Sequence, residues 1–170
     1  MTEKSEKVTV HIKYKDVEKT FSATPEETWI LLSKFFNEVL PSFEIARKLI
    51  LTVDLQELAE DCEGLIGFSQ EGINLLVPKS KLTDNETLLL WLLAGYLGYK
   101  LGLIERDEFL KEELQTKLGK SGKITSTRLG ELIKNDMLSK TADEKFRITT
   151  FGVAQMQKDV IPKIKAKVKS

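Results

Sequence analysis

The chain has few of the residues on which secreted proteins and many enzymes depend. It contains one cysteine, Cys62, and one histidine, His11, among 170 residues. A single cysteine excludes an intramolecular disulfide and favours a cytosolic protein. A single histidine, placed on a predicted strand, argues against a histidine-based metal cluster or catalytic triad. The longest apolar run, Leu88–Tyr99, is too short to span a bilayer. The polar start, Met1–Glu6, is followed by no apolar core such as a signal peptide has.

The remaining candidate catalytic groups also lack a suitable setting. The thiol in Glu60-Asp61-Cys62-Glu63 has acidic neighbours, which raise a thiol pKa and disfavour the thiolate. Acidic pairs such as Glu26-Glu27 fall at helix starts, where the helix dipole explains them. Gly119-Lys120-Ser121 resembles part of a phosphate-binding loop, but Leu114 stands where that motif needs glycine. We therefore expect a protein that is not an enzyme and that holds no metal and no cofactor.

Charge is balanced overall but not along the chain. Residues 1–99 contain 10 Lys and Arg and 16 Asp and Glu, whereas residues 100–170 contain 16 and 10. Such asymmetry indicates a nucleic-acid-facing part and a different partner-facing part. The alternative is a solvated surface whose charges are unevenly distributed without a binding role.

The amino-terminal residues have the pattern of a small ββα unit. Lys7–Lys15 alternates apolar and polar side chains, which predicts a strand, and Val17–Ser22 is suited to return as a second strand. Thr24-Pro25-Glu26-Glu27 then has the residues of a capping box with proline at the first helical position. This helix is expected to end at Pro41.

Two further helices and a hairpin are expected before residue 78. The helices are predicted over Phe43–Thr52 and Asp54–Cys62, and the hairpin pairs Leu65–Phe68 with Ile73–Val77. A ββα start with a later hairpin is similar to the β-grasp order. The first domain is thus expected to be α+β and to bind a protein partner or a second copy of itself.

Pro78-Lys79-Ser80-Lys81 has the composition of a domain boundary, which gives an α+β domain over residues 1–79 and a second domain over residues 80–170. The second domain begins with a helix capped by Thr83 and Glu86. The run Leu88–Tyr99 is apolar nearly all round, so it must be covered on most sides.

Small residues recur every four positions in that helix, at Ala94, Gly98 and Gly102. They would let another part of the protein approach closely. The approach is either tight packing within one domain or a seam between two copies of the chain, so both a monomer and a homodimer stay open.

A helix over Arg106–Leu118 and a glycine-rich turn are expected to precede a second, amphipathic helix over Ile124–Asp136. Its apolar side chains are placed on one side and its basic and hydroxyl side chains on the other: Ile124, Leu129, Leu132 and Ile133 against Lys123, Thr127 and Lys134. It ends at Asn135-Asp136, residues that tolerate a left-handed backbone. The strand-like segments Met137–Thr141 and Lys145–Thr149 follow, joined by a charged turn.

This segment resembles winged helix-turn-helix domains, especially those of small archaeal and bacterial DNA-binding proteins. In that family a helix of the form T-I-S-x-R-L-x-E-L leads through Gly-Leu-Val into the wing. Here Ile124–Leu132 reads ITSTRLGEL and Asp136-Met137-Leu138 follows, with aspartate where glycine is usual. Phe146–Gly152 resembles the second wing strand and the start of a closing helix, and the resemblance covers roughly residues 82–162.

The resemblance implies that the chain binds double-stranded DNA, as a transcriptional regulator or a chromatin-associated factor. Lysine and arginine supply phosphate contacts, and short polar side chains at the start of the recognition helix reach base edges. The candidates are Lys120, Lys123 and Lys134 for phosphates, Ser126, Thr127 and Arg128 for bases, and Lys140, Lys145 and Arg147 on the wing. Arg128 lies near the core edge, so packing of its stem on the preceding helix is an equal alternative.

The alternative to DNA binding is a protein-interaction adaptor in which the winged helix is only a scaffold. In either case the protein is expected in the cytoplasm, and at the nucleoid if it binds DNA. The carboxyl-terminal end, Lys163–Lys169, is expected beyond a helix over Thr150–Val160, from which Pro162 separates it. It is either a disordered basic arm that attracts DNA or a solubilising end without a role.

Overall fold

The computed structural model describes residues 7–39 and 51–169. The chain divides into two compact units, Met1–Ile50 and Leu51–Ser170. Within the described ranges both units combine helices with small antiparallel sheets, so the expected α+β class is confirmed. The helix end expected at Pro41 and most of the helix expected over Phe43–Thr52 lie outside the described residues.

The first unit begins with an antiparallel hairpin, β1 (Val8–Tyr14) and β2 (Val17–Ala23), followed by α1 (Pro25–Val39). The strands pair in the register from Val8–Ala23 to Tyr14–Val17. The predicted capping box at the start of α1 is confirmed. The backbone N–H of Glu27 donates to Thr24 Oγ1 and that of Thr24 to Glu27 Oε2, both over 3.3 Å.

The second unit contains two hairpins and a series of helices around one apolar core. Its elements are α2 (Leu55–Asp61), β3 (Ile66–Ser69), β4 (Gly72–Leu75), a 3-10 turn (Lys79–Lys81), α3 (Asp84–Lys100), α4 (Lys111–Leu118), α5 (Gly122–Lys134), β5 (Leu138–Lys140), β6 (Phe146–Ile148), α6 (Thr150–Gln155), a π-helical turn (Met156–Val160) and α7 (Ile161–Lys169). No helix within 7–39 and 51–169 is both long enough and apolar enough to cross a membrane.

Helix α3 is the centre of this core. The capping box predicted for it is confirmed, because Thr83 Oγ1 accepts the N–H of Glu86 over 3.2 Å and Glu86 Oε2 accepts the N–H of Thr83 over 2.8 Å. Ten of its residues are buried, as its apolar surface on all sides predicted. Two of the three small residues serve packing inside the unit: Ala94 is fully buried, and a Cβ on Gly98 would lie 2.5 Å from the ring of Phe68. Gly102 lies beyond the end of the helix with φ of 70° and does not contribute to this packing.

The division between the units differs from the predicted boundary at residues 79 and 80. Helix α2 and the β3–β4 hairpin belong with α3, because Leu58, Leu65 and Val77 are buried in the same core as the leucines of α3. Pro78–Lys81 is therefore a short connection within the second unit. Apolar burial on α3 holds these segments together despite the polar composition of that connection.

The helix predicted over Arg106–Leu118 begins five residues later than expected. Phe109 forms an antiparallel β-bridge with Phe146, in which its N–H donates to Phe146 O over 3.0 Å and its carbonyl accepts the N–H of Phe146 over 2.8 Å. The chain is thus extended at this point. The carboxylate of Glu113 then accepts the N–H of Leu110 over 2.7 Å, which starts the helix at Lys111.

The expectation of a disordered basic arm at the carboxyl-terminal end is wrong. Residues 150–169 continue as helix through Pro162, and the predicted stop at that residue is wrong. The reason is the π-helical turn, in which the N–H of Ile161 donates to Met156 O. This wider turn relieves the clash that proline causes in a regular helix. Ile164 is buried and Lys167 Nζ lies 2.6 Å from Glu86 Oε1, so the basic end packs on the core.

Candidate functional site

Helix α5 has well-defined ends that fix its orientation on the core. Helix α4 stops at Gly119, whose φ of 72° only glycine adopts easily. Ser121 then caps α5, its Oγ accepting the N–H of Ile124 over 3.3 Å. At the other end Asp136 has φ of 57°, as predicted for a residue in the place where the family has glycine.

The buried side of α5 differs in one position from the prediction. Leu129 and Leu132 are buried as expected, but Ile124 is 40% exposed. Thr125 is fully buried in its place, and its hydroxyl donates to Ser121 O over 3.0 Å. A buried threonine is acceptable here because the preceding turn of the helix satisfies its hydroxyl. Hydrophobicity alone therefore predicted that Ile124 is buried, whereas the adjacent Thr125 is the buried residue.

The opposite side of α5, with the turn before it, forms a surface that we call the cationic face. All of its members are exposed: Lys120, Lys123, Ser126, Thr127 and Lys134. The Thr127 hydroxyl donates to Lys123 O over 3.0 Å and so keeps only acceptor capacity for a ligand.

The three lysines of the cationic face carry uncompensated charge. Within residues 7–39 and 51–169, no carboxylate lies within ion-pair distance of the ammonium groups of Lys120, Lys123 or Lys134. An ammonium without a protein partner is free to exchange its water and counterions for a polyanion.

Arg128 lies at the seam between α3 and α5 and not on the cationic face. Its Nη1 donates to both carboxylate oxygens of Glu131, over 3.0 and 3.1 Å, and its Nε lies 3.7 Å from Asp84 Oδ2. Asn85 adds a 3.4 Å hydrogen bond to Glu131, and the pKa of that carboxyl is lowered chiefly by its hydrogen bond with Arg128. The guanidinium is thus engaged by carboxylates within the protein, which neither the base-reading role nor stem packing on the preceding helix anticipated.

The β5–β6 hairpin carries one free cation and two that are paired. Lys140 Nζ lies 2.6 Å from Glu144 Oε1 across the turn, and Lys145 Nζ lies 3.6 Å from Glu108 Oε2. Arg147 is exposed and has no ion pair among the residues that the structure describes. The hairpin therefore offers less free positive charge than its composition suggested.

Two basic residues that the sequence did not single out lie near these groups. The Nζ of Lys79 lies 3.8 Å from the position that a Cβ on Gly119 would occupy, beside the turn that leads into α5. Lys100 and Arg147 both line a cavity of about 370 Å³ next to the hairpin. Both lysines are distant in sequence from α5, so no local pattern reveals them.

The charge asymmetry lies entirely inside the second unit. Residues 1–50 and 51–170 each have equal numbers of acidic and basic side chains, 8 and 18 of each sign respectively. Within the second unit, residues 51–99 contain 2 basic and 8 acidic side chains, and residues 100–170 contain 16 and 10. The charge asymmetry thus separates two parts of the second unit and does not separate the two units.

Cys62 is not placed to act as a nucleophile. Burial, with a smaller contribution from Asp61, raises the pKa of its thiol to about 12. The unfolded chain ionises the same thiol near pH 8.5 to 9. The protonated thiol therefore makes its full contribution to the free energy of unfolding below about pH 8.5. This contribution declines by about 1.4 kcal/mol per pH unit from there towards pH 12.

Alkaline unfolding tests this effect directly. Between pH 8 and pH 10.5, we expect the free energy of unfolding of wild type to fall by about 2 kcal/mol more than that of Cys62→Ala, which lacks the thiol. Urea unfolding of both proteins at the two pH values measures the difference. Tyr96, whose pKa burial and Asp107 raise, contributes equally to both proteins. Parallel declines in the two proteins would show that the thiol is not protected.

Comparisons with protein-family models, with curated proteins and with solved structures found no match for this chain. Among the described residues, no group of three or more His, Cys, Asp or Glu side chains is arranged to hold a metal ion. The cationic face and the β5–β6 hairpin are therefore the features whose geometry and charge indicate a function.

Proposed function

We propose that the second unit is a winged helix that binds duplex DNA, with α5 as the recognition helix and the β5–β6 hairpin as the wing. The order of elements supports this: α4 and α5 are joined by a short turn, and a hairpin follows at once. The bonds between Phe109 and Phe146 add a third segment to the wing sheet. The cytoplasm and its nucleoid are the corresponding location.

The observation that carries the proposal is the free charge on one exposed side of α5. Lys123 and Lys134 are separated by three turns of helix, with the hydroxyls of Ser126 and Thr127 between them. A recognition helix in the major groove needs this combination, with cations towards the two phosphate backbones and short polar groups towards base edges. In this proposal Lys120, in the turn before α5, and Arg147, on the wing, supply further phosphate contacts.

The internal ion pairs limit the number of phosphate contacts that we propose. Arg128, Lys140 and Lys145 are each engaged by carboxylates, so they contribute less than free cations would. Four cations then remain for phosphates, namely Lys120, Lys123, Lys134 and Arg147. This number favours moderate affinity, in which phosphate contacts dominate.

Salt dependence of binding to a fluorescently labelled duplex tests the proposal. With about four phosphate contacts, the logarithm of the association constant should fall with a slope of about −3.6 against the logarithm of salt concentration. Affinity should thus fall by about two orders of magnitude between 50 and 200 mM salt. Fluorescence anisotropy over that range measures the slope.

A wild-type protein that does not bind the duplex at low salt would exclude this function. The adaptor alternative, in which the winged helix is a scaffold for another protein, would then take its place. The first unit is proposed as the partner-binding or self-associating part in both cases.

A further inference from the structure

A second cavity lies away from the cationic face, between the β3–β4 hairpin and the segment that joins α3 to α4. Its volume is about 420 Å³, which is in the range of pockets for small organic molecules. It is lined by Ser69, Gln70, Glu71, Gly72, Ile73, Leu103, Ile104, Glu105, Arg106, Phe109 and Lys117. None of these residues belongs to the proposed DNA interface.

Lys117 brings an unusual cation to this cavity. It is half-buried, and its Nζ lies 3.7 Å from the centre of the Trp91 ring. Within the described ranges no carboxylate lies at ion-pair distance from Lys117 Nζ. Arg106, the other cation of the lining, is bound to Glu113. Burial is the main reason that the pKa of the Lys117 ammonium is lowered; the charge of Arg106 also lowers it, whereas that of Glu113 raises it.

The rest of the lining separates into an apolar part and a charged part. Ile73, Ile104 and Phe109 are buried or half-buried. Glu71 and Glu105 are exposed, and the Glu71 carboxylate accepts a hydrogen bond from the Ser69 hydroxyl. A ligand with one negative charge gains the half-buried ammonium, whereas a multiply charged anion such as a phosphate would also face these carboxylates.

We propose that this cavity binds a small organic monocarboxylate with an apolar body, its carboxylate paired with the Lys117 ammonium. The body lies against Ile73, Ile104 and Phe109, where transfer from water contributes the hydrophobic part of the affinity. The carboxylate supplies the hydrogen-bonded anion that Lys117 lacks. The proposal does not depend on DNA binding.

Titration of the ¹⁵N-labelled full chain with octanoate, octylamine and octan-1-ol tests the pairing, followed by amide chemical shifts. Octanoate is expected to shift the amides of Ile73, Ile104 and Lys117 at low-millimolar concentration, and to bind about tenfold or more tightly than the alcohol. Octylamine is expected not to shift them. Lys117→Gln should weaken octanoate binding about tenfold or more, to the affinity of the alcohol.

Two variants distinguish the effect of losing the Lys117 charge from the effect of general damage to the fold. Lys117→Arg keeps the positive charge and is expected to retain most of the affinity for octanoate. Lys111→Gln removes a cation from the same helix, outside this cavity, and is expected to leave binding unchanged. Equal affinities for octanoate and octanol would overturn the proposal, as would unchanged binding in a folded Lys117→Gln protein or the absence of any shift with octanoate.

Discussion

Lys123→Glu combined with Lys134→Glu is expected to weaken duplex DNA binding by about a hundredfold or more at low salt. Each substitution removes one phosphate contact and adds a like-charge repulsion, and the salt slope should become shallower by about two. Both side chains are exposed and neither has an ion pair among the described residues, so the fold should be unaffected. Anisotropy titrations of wild type and the double variant at two salt concentrations measure affinity and slope together.

The matched control carries the same change of charge elsewhere in the unit. Lys158 and Lys163 are exposed residues of the closing helical segment, and their reversal to glutamate alters net charge equally. If DNA recognition uses α5, this control should lose only the small affinity due to general electrostatics. Equal losses in the two double variants would contradict the assignment of the cationic face.

Gly152→Ala is expected to destabilise the protein by about 3 kcal/mol or more. A Cβ at this position would overlap the carbonyl of Met137 and lie 2.8 Å from Ile148 Cγ1. The backbone of Met137 also accepts the N–H of Thr149 over 3.0 Å, so it cannot move away without loss of that bond. Urea unfolding followed by circular dichroism gives the free energy of unfolding.

Gly130→Ala is the matched control for this prediction. Gly130 lies within α5, is exposed, and has no atom within 4 Å of the position of an added Cβ. The same substitution should therefore stabilise the protein by about 0.5–1 kcal/mol, because alanine favours the helix. A Gly152→Ala protein as stable as wild type would show that the junction between β5 and α6 is looser than these distances indicate.

Elements specified by neighbouring residues were predictable from the sequence. The capping boxes at Thr24 and Thr83 and the β3–β4 hairpin each depend on side chains within a few positions of one another. The exposed side of α5 was predictable for the same reason, since helical periodicity alone separates Lys123 and Lys134 from the leucines.

Features that depend on distant residues were not predictable. Phe109 is extended because it pairs with Phe146, and Lys145 is neutralised by Glu108. The segment Lys163–Lys169 looked like a free basic end because Glu86, which binds Lys167, lies far earlier in the chain. The number of basic side chains that are available to a ligand depends on how many are already paired with carboxylates. The tertiary fold determines these pairs.

The π-helical turn at Met156–Val160 resets the rotational phase of the helix that contains it. An unbroken α-helix advances about 100° per residue and would direct Ile161 away from the stripe that Val153 and Met156 form. The extra residue in the wide turn takes up about one such step, so Ile161 returns to that stripe and is buried. An isoleucine that is out of phase in the sequence thereby contributes to the same core.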